Sequence, residues 1–187
     1  MDRRNFFRSA LNKGGKTVVK AVDASVNKQA SRWIRPPFAI NELEFLLSCT
    51  RCSDCVEACS YDVIFSLSAK VGAKAAGTPA LDLLNKGCHL CTDWPCVSAC
   101  TTKALLIPES KDNSEAITVP KLANVTIDTK QCLPYSGPEC GACLHSCPVD
   151  GALTLDMVRP VIDEQLCSGC GLCRENCITE PKAINIA

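Results

Sequence analysis

A thiolate is a soft ligand that holds iron or zinc strongly, and this chain of 187 residues carries sixteen cysteines in four runs of four, with none left over. The first run is Cys49, Cys52, Cys55 and Cys59, at intervals of two, two and three intervening residues. The second is Cys88, Cys91, Cys96 and Cys100, in which the middle interval opens to four. The third is Cys132, Cys140, Cys143 and Cys147, whose first interval opens to seven, and Pro148 follows it. The fourth, Cys167, Cys170, Cys173 and Cys177, repeats the spacing of the first.

The bacterial iron–sulfur run is C-x2-C-x2-C-x3-C-P, with the fourth thiolate reaching to a neighbouring cluster. Two runs reproduce that spacing and two carry one insertion each, which predicts four [4Fe–4S] clusters held by all sixteen cysteines. Zinc knuckles pair two C-x2-C units into one tetrahedral centre and give no reason for third and fourth cysteines at x2 and x3. A disulfide scaffold needs an oxidising compartment and shows no preference for this spacing. Adjacent runs are expected to share a module and exchange their fourth ligands. On that pattern Cys49, Cys52 and Cys55 combine with Cys100, and Cys88, Cys91 and Cys96 with Cys59. Likewise Cys132, Cys140 and Cys143 combine with Cys177, and Cys167, Cys170 and Cys173 with Cys147. A nested pattern, first run with fourth and second with third, is the alternative, and spacing alone does not decide between them.

Composition suits an interior built around cofactors. Hydrophobic residues make up 47% of the chain, but the cysteines inflate that figure and aromatics are only 5%. So few large side chains make a weak core, so metal binding and folding should be coupled. The formal net charge is zero. Sixteen thiolates outweigh the positive charge of four cluster cores, so the assembled protein is acidic and nucleic acid is not expected as a partner.

The charge is unevenly spread. Residues 1–35 hold nine Lys or Arg against Asp2 and Asp23, a net of +7. Phe7, Leu11, Gly15, Val18, Val22, Val26 and Trp33 recur at helical spacing, with Lys13, Lys16, Lys20 and Asp23 opposite. This predicts a basic amphipathic helical arm that Pro36-Pro37 stops. Its apolar stripe packs either on its own domain or on a partner or further copy of the chain. Arg3-Arg4 begins a segment like a twin-arginine export signal. No uninterrupted apolar run or small-residue cleavage site follows it, so a retained arm and a cytoplasmic protein are expected, with periplasmic export through a degenerate signal as the alternative. No stretch is long and apolar enough for a membrane span.

The elements that position the cysteines follow one repeating plan, an approach strand, a cysteine loop with a helical turn, and an exit strand. Exit strands are expected over 62–67, 103–107, 151–155 and 182–186, and approach strands over 123–127 and 160–162. Asn41 with Glu44 three residues on predicts a capped helix over Glu42–Ser48. The polar, breaker-rich turn from Pro108 to Glu115 is the best internal boundary. The organisation expected is α+β, with an arm over 1–35 and two ferredoxin-like dicluster modules over 36–115 and 116–187.

Gly141, Gly169 and Gly171 are expected to bring backbone close to sulfur without a Cβ in the way. The first run has Thr50, Arg51, Ser53 and Asp54 instead, and Arg51 is expected to be a solvated surface residue rather than one that raises a cluster potential. His89 and His145 lie inside cysteine runs, but every cluster already has four thiolates, so both are expected to be surface or supporting groups. No nucleophile–base pair, carboxylate pair or phosphate loop stands out. The expectation is an electron carrier with no substrate site of its own.

Trp33-Ile34-Arg35-Pro36-Pro37, with Glu44-Phe45-Leu46 and the first cysteine run, resembles the ferredoxin-type NapF/NapG/MauM proteins of periplasmic nitrate reductase and methylamine utilisation systems. Gly77-Thr78-Pro79, the Cys88–Cys96 segment and the Cys177–Pro181 segment are most similar to the NapG/MauM branch. The resemblance implies four [4Fe–4S] clusters and an electron-transfer accessory or subunit, relaying single electrons between larger redox subunits. It also implies a cytoplasmic alternative, a small subunit beside the catalytic and flavin subunits of a molybdenum or tungsten pterin enzyme such as an aldehyde oxidoreductase. The other function class is an iron–sulfur assembly or maturation factor, which partner stoichiometry would distinguish. A redox sensor of transcription would need a DNA-binding element, and none is visible.

Overall fold

The computed structural model describes residues 33–108 and 118–187. The basic arm, apart from 33–35, lies outside the described residues, as do the breaker-rich turn beyond Pro108 and the 115/116 division. Among the described residues the architecture is short helices and small antiparallel sheets, an α+β arrangement.

Trp33 sits in a bend rather than a helix, and Ile34 bridges Leu81, so the helical stripe does not extend to Trp33. Arg35, counted above with the basic arm, is instead part of the fold. Its guanidinium donates to both carboxylate oxygens of Glu42 at 2.6 and 2.9 Å, and to Thr78 Oγ1 and the Pro79 carbonyl at 2.9 and 2.8 Å. It also lies over the Phe45 ring, 4.7 Å from its centroid. Helix α1 follows at Glu42–Ser48, where it was expected. The Asn41 side chain accepts the Glu44 N–H at 3.1 Å, satisfying one of the free amides at the helix start. Glu42 and Glu44 in the first turn suit the positive end of the helix dipole. Phe45 is fully buried, a side-chain burial worth roughly 1.5–3 kcal/mol. The helix ends as the Cys49 N–H donates to the Phe45 carbonyl at 2.8 Å, delivering the first cysteine at a defined point.

The first run contains helix α2, Asp54–Glu57, and leads into β1, Ile64–Ser66. β1 pairs antiparallel with β2, Pro79–Leu81, Ile64 facing Leu81. β2 was not expected. All three of its residues are buried, so it lacks the alternation that marks a half-buried strand. The second run contains helix α3, Pro95–Ser98. The strand expected over 103–107 reduces to a single bridge between Ala39 and Leu105, flanked by hydrogen bonds from Ile40 to Ala104 and from Leu106 to Phe38. Its partner is short for a physical reason. Pro36 and Pro37 supply no N–H, Phe38 has φ 58°, and α1 begins at Glu42.

The later half repeats the plan with longer strands. β3, Val125–Ile127, pairs with the last strand, β6, Ile184–Ile186. Between them come helix α4, Leu133–Ser136, the hairpin of β4, Leu153–Asp156, and β5, Arg159–Ile162, and helix α5, Leu172–Glu175. The β4–β5 hairpin turns through Met157 and Val158 alone, whereas twelve residues, 67–78, join β1 to β2.

The halves meet on shared apolar packing. Phe38, Phe45, Val63, Leu81, Leu83 and Trp94 of the first half share one cluster with Ala123, and Leu122 and Ile186 pack against it. Phe38 and Trp94 meet edge to face with centroids 4.8 Å apart, a favoured aromatic geometry.

Candidate metal centres

Three of the four cysteine runs share one local construction. A residue with positive φ precedes the second cysteine, and another stands two before the third: Arg51 and Ser53, Leu90 and Trp94, Gly169 and Gly171. A four-residue helix then starts and carries the third cysteine as its second residue: Cys55 in α2, Cys96 in α3, Cys173 in α5. Left-handed residues interleaved in this way turn successive backbone N–H groups toward one side, a concavity suited to anionic groups and iron–sulfur centres. Only Gly enters this region without a steric penalty, so in the first two runs non-glycine residues bear that cost. The third run departs from the plan, with a 3-10 turn over Leu144–Ser146 behind Cys143.

The cysteines line four small cavities. One is lined by Cys49, Cys52, Cys55 and Cys100, with Arg51, Ser53, Gly77 and Thr102. A second is lined by Cys59, Cys88, Cys91 and Cys96, with Tyr61 and His89. A third is lined by Cys132, Cys140, Cys143 and Cys177, with Thr179. The fourth is lined by Cys147, Cys167, Cys170 and Cys173. In every case three cysteines come from one run and the last from the neighbouring run in the same half. Cys177 therefore lies with the third run, away from the first, where nesting would have put it. The topology explains this, because the exit segment after each fourth cysteine pairs with the approach to the other run: β6 with β3, and Leu105 with Ala39.

The thiols feel burial and one another. Burial pushes Cys55 up to about 11, with Cys49, Cys100 and Cys52 adding to it. Burial pushes Cys96 up to about 12, with Cys88, Cys59 and Cys55 beside it. Burial also raises Cys143 to about 11, with Cys132, Cys177 and Cys140 contributing, and Cys173 to about 12, with Cys170, Cys167 and Cys143. Four thiolates crowded in a half-buried space repel each other and lose hydration, so a cation at the centre is what makes the ionised set favourable. Cys177 runs the other way. Burial pulls it upward, but hydrogen bonding from the Thr179 side chain and backbone and from the Ala183 N–H, with Lys182 nearby, leaves it below the ordinary thiol value.

Other expected residues vary. A Cβ on Gly169 would meet the Ala123 carbonyl oxygen at 2.1 Å and nitrogen at 2.5 Å, and one on Gly171 would lie 3.2 Å from the Leu83 carbonyl oxygen. Both close approaches are real, though what they accommodate is neighbouring protein backbone. Gly141 meets nothing within 4 Å, so no close protein contact explains it. Arg51 is exposed but not free. Its Nε donates to the Ala76 carbonyl at 2.9 Å and its Nη2 to the Lys74 carbonyl at 3.1 Å, which anchors the 67–78 loop beside the first cysteine run. His89 stacks parallel on Tyr61 with centroids 3.4 Å apart at the edge of its cavity, and His145 is exposed.

Two threonines that the cysteine spacing does not point to lie against cysteine sulfurs. Thr179 Oγ1 lies 3.2 Å from Cys177 Sγ, and Thr102 Oγ1 lies 3.8 Å from Cys100 Sγ. The signal was present as Cys-x-Thr after the second and fourth runs and is missing after the other two. Among the described residues, no three Cys, His, Asp or Glu side chains converge on a point as they would around a single metal ion. The thiols ring a volume instead.

The chain is similar to curated proteins from several bacteria. It is 33% identical to the ferredoxin-type protein NapG of Escherichia coli strain K12, over 98% of this chain and 84% of that one. It is 30% identical to the methylamine utilization ferredoxin-type protein MauM of Methylobacillus flagellatus, over 99% of this chain and 83% of that one. With the ferredoxin-type protein NapF of Escherichia coli strain K12 it shares 32% identity, over 80% and 83% respectively. No protein-family model matches the chain.

Proposed function

The chain belongs to the family of NapG- and MauM-type ferredoxin proteins, and from that premise we propose that it carries four [4Fe–4S] clusters and relays single electrons between redox subunits of a larger oxidoreductase. The observation that carries this reading is the lining of four cavities by four cysteines each. Such a thiol set fits a cluster in number, softness and burial. It fits a zinc centre less well, since paired C-x2-C knuckles give no reason for the third and fourth cysteines of each run.

The ligand sets are Cys49, Cys52, Cys55 and Cys100; Cys59, Cys88, Cys91 and Cys96; Cys132, Cys140, Cys143 and Cys177; and Cys147, Cys167, Cys170 and Cys173. When bound, each cluster accepts and returns one electron at a time. The protein's part is to fix the thiolates on short helices and turns and to aim backbone and hydroxyl donors at sulfur. Shared ligand loops bring the two sites of each half close together. The reading includes no substrate site, so donor and acceptor are separate subunits, among which the catalytic and flavin subunits of a molybdenum or tungsten pterin enzyme suit a one-electron relay.

Anaerobic purification followed by iron and acid-labile sulfide assay tests this directly. Four cubanes give roughly sixteen iron and sixteen sulfide per chain. Stoichiometric zinc with negligible sulfide ends the proposal. A relay subunit also co-purifies with its catalytic partner in fixed ratio, whereas a maturation factor would be found only with the cluster-free partner.

A further inference from the structure

The seam between the halves is built around one pair of ligand-bearing residues. The Cys88 N–H donates to the Cys170 carbonyl at 2.7 Å, a direct backbone bond between a residue of the second run and one of the fourth. Just before it, the Gly87 N–H donates to Glu175 Oε2 at 2.8 Å. A Cβ on Gly87 would stand 2.6 Å from both the Leu172 nitrogen and its Cα, so only glycine permits this approach of chain to α5. Arg174 Nε holds the same segment through the Leu84 carbonyl at 3.0 Å. Three of the four residues of α5, Leu172, Arg174 and Glu175, are thus committed to residues 84–88 and to the position of Cys88.

The elements that carry the ligands extend this contact in both directions. Helices α2 and α3, which carry Cys55 of the first site and Cys96 of the second, pack together, and both cysteines belong to one buried cluster. Helix α5, which carries Cys173 of the fourth site, packs on the Leu144–Ser146 turn that lies between Cys143 of the third site and Cys147 of the fourth. With the Cys88–Cys170 bond, these contacts link first to second, second to fourth, and fourth to third.

We propose that electrons cross between the halves at the Cys88–Cys170 seam, so that the four sites form one chain in the order first, second, fourth, third. The inference rests on the reading that each site holds a cluster. The order along the sequence is therefore not the order along the path, and the first and third sites are its two ends, where partners exchange electrons. The step itself moves one electron. The second site is oxidised by one and the fourth reduced by one, or the reverse, with no bond made or broken and no proton transferred. The external reductant is a redox partner in service and dithionite in the test.

The full chain, purified anaerobically, is first assayed for iron and sulfide. A chain without four clusters overturns the cluster reading, and the path falls with it. With the full complement, the dithionite-reduced protein is examined by electron paramagnetic resonance, where adjacent reduced clusters broaden or split one another's signals. Removing the second-site cluster through Cys91→Ala is expected to abolish the interaction between the halves, while removing the first-site cluster through Cys52→Ala is expected to leave it. The reverse result overturns the order. Gly87→Ala is expected to keep the iron content and the interactions within each half but lose the interaction across the seam. If that variant does not fold, Glu175→Ala removes the acceptor from an exposed side chain and is expected to weaken the same interaction. Full iron content with an unchanged cross-seam interaction in the folded variants shows that the seam does not carry the path.

Discussion

Thr179 shows how one hydroxyl can tune a site whose ligands are all alike. Its Oγ1 lies 3.2 Å from Cys177 Sγ, and its backbone and the Ala183 N–H also favour the ionised sulfur. A hydrogen bond to sulfur stabilises the reduced, more negative cluster and so raises its potential. Replacing Thr179 with Val should therefore lower the potential of the third-site cluster. A net hydrogen bond of about 1 kcal/mol corresponds to about 40 mV for a one-electron couple. A potentiometric titration followed by electron paramagnetic resonance reads this shift, and Thr179→Ser should restore the wild-type value. An unchanged potential in the valine variant would mean that the hydroxyl serves only the local turn, where it also accepts the Ala183 N–H at 3.0 Å. At Thr102 the contact to Cys100 is longer, 3.8 Å, and the same substitution should shift the first site less.

Among the elements, α1 depends on an ion pair that it shares with the segment before it and with β2. Arg35 and Glu42 have side chains only 10% and 12% exposed. Breaking such a pair by removing one partner leaves a buried charge, at a cost of roughly 3–5 kcal/mol. Arg35→Ala should therefore lower the temperature at which the cluster absorbance is lost, and should do so more than Glu42→Ala with Arg35→Ala together. The double replacement Arg35→Met, Glu42→Leu should recover most of the loss, because well-packed apolar residues of similar volume often replace a buried pair at little cost. A single Arg35→Ala variant as stable as the parent would show that solvent reaches Glu42 freely. The helix itself was legible from Asn41 and Glu44. The pair was not, because its members are seven residues apart and straddle a turn, and Arg35 was easily counted with the basic residues before it.

At the scale of the whole molecule, the described core is thin. Many of its buried positions are cysteines, alanines and short aliphatic side chains, with Phe38, Phe45 and Trp94 the large exceptions. The cysteine loops carry strained left-handed residues such as Arg51, Ser53, Leu90 and Trp94, and such conformations persist only where surrounding interactions hold them. Thiolate–cluster bonds would supply those interactions, so loss of all the clusters together should unfold the chain rather than leave a folded apoprotein. Treating the purified protein with an iron chelator and a mild oxidant should bleach the visible absorbance and, in step with it, abolish the near-ultraviolet circular dichroism. A chelated protein that kept its dichroism and refilled without a folding lag would show that packing alone sustains the fold.

The sequence by itself determined the donors on offer: four runs of four cysteines, two at ferredoxin spacing and two with one insertion each, are local features of the chain. It determined the α1 cap for a similar reason, since capping is a contact between residues three apart. It did not determine which runs combine, because connectivity depends on which strands pair, and β3–β6 and the Ala39–Leu105 bridge are contacts between residues far apart in the chain. It did not reveal β2, whose complete burial removes the alternation that a half-buried strand displays. The juxtaposition of Cys88 with Cys170 was equally invisible, since a glycine at residue 87 looks like any turn until Leu172 is packed against it. Ligand identity is local and is written in spacing, whereas the order of sites in space arises from how two similar halves fit together.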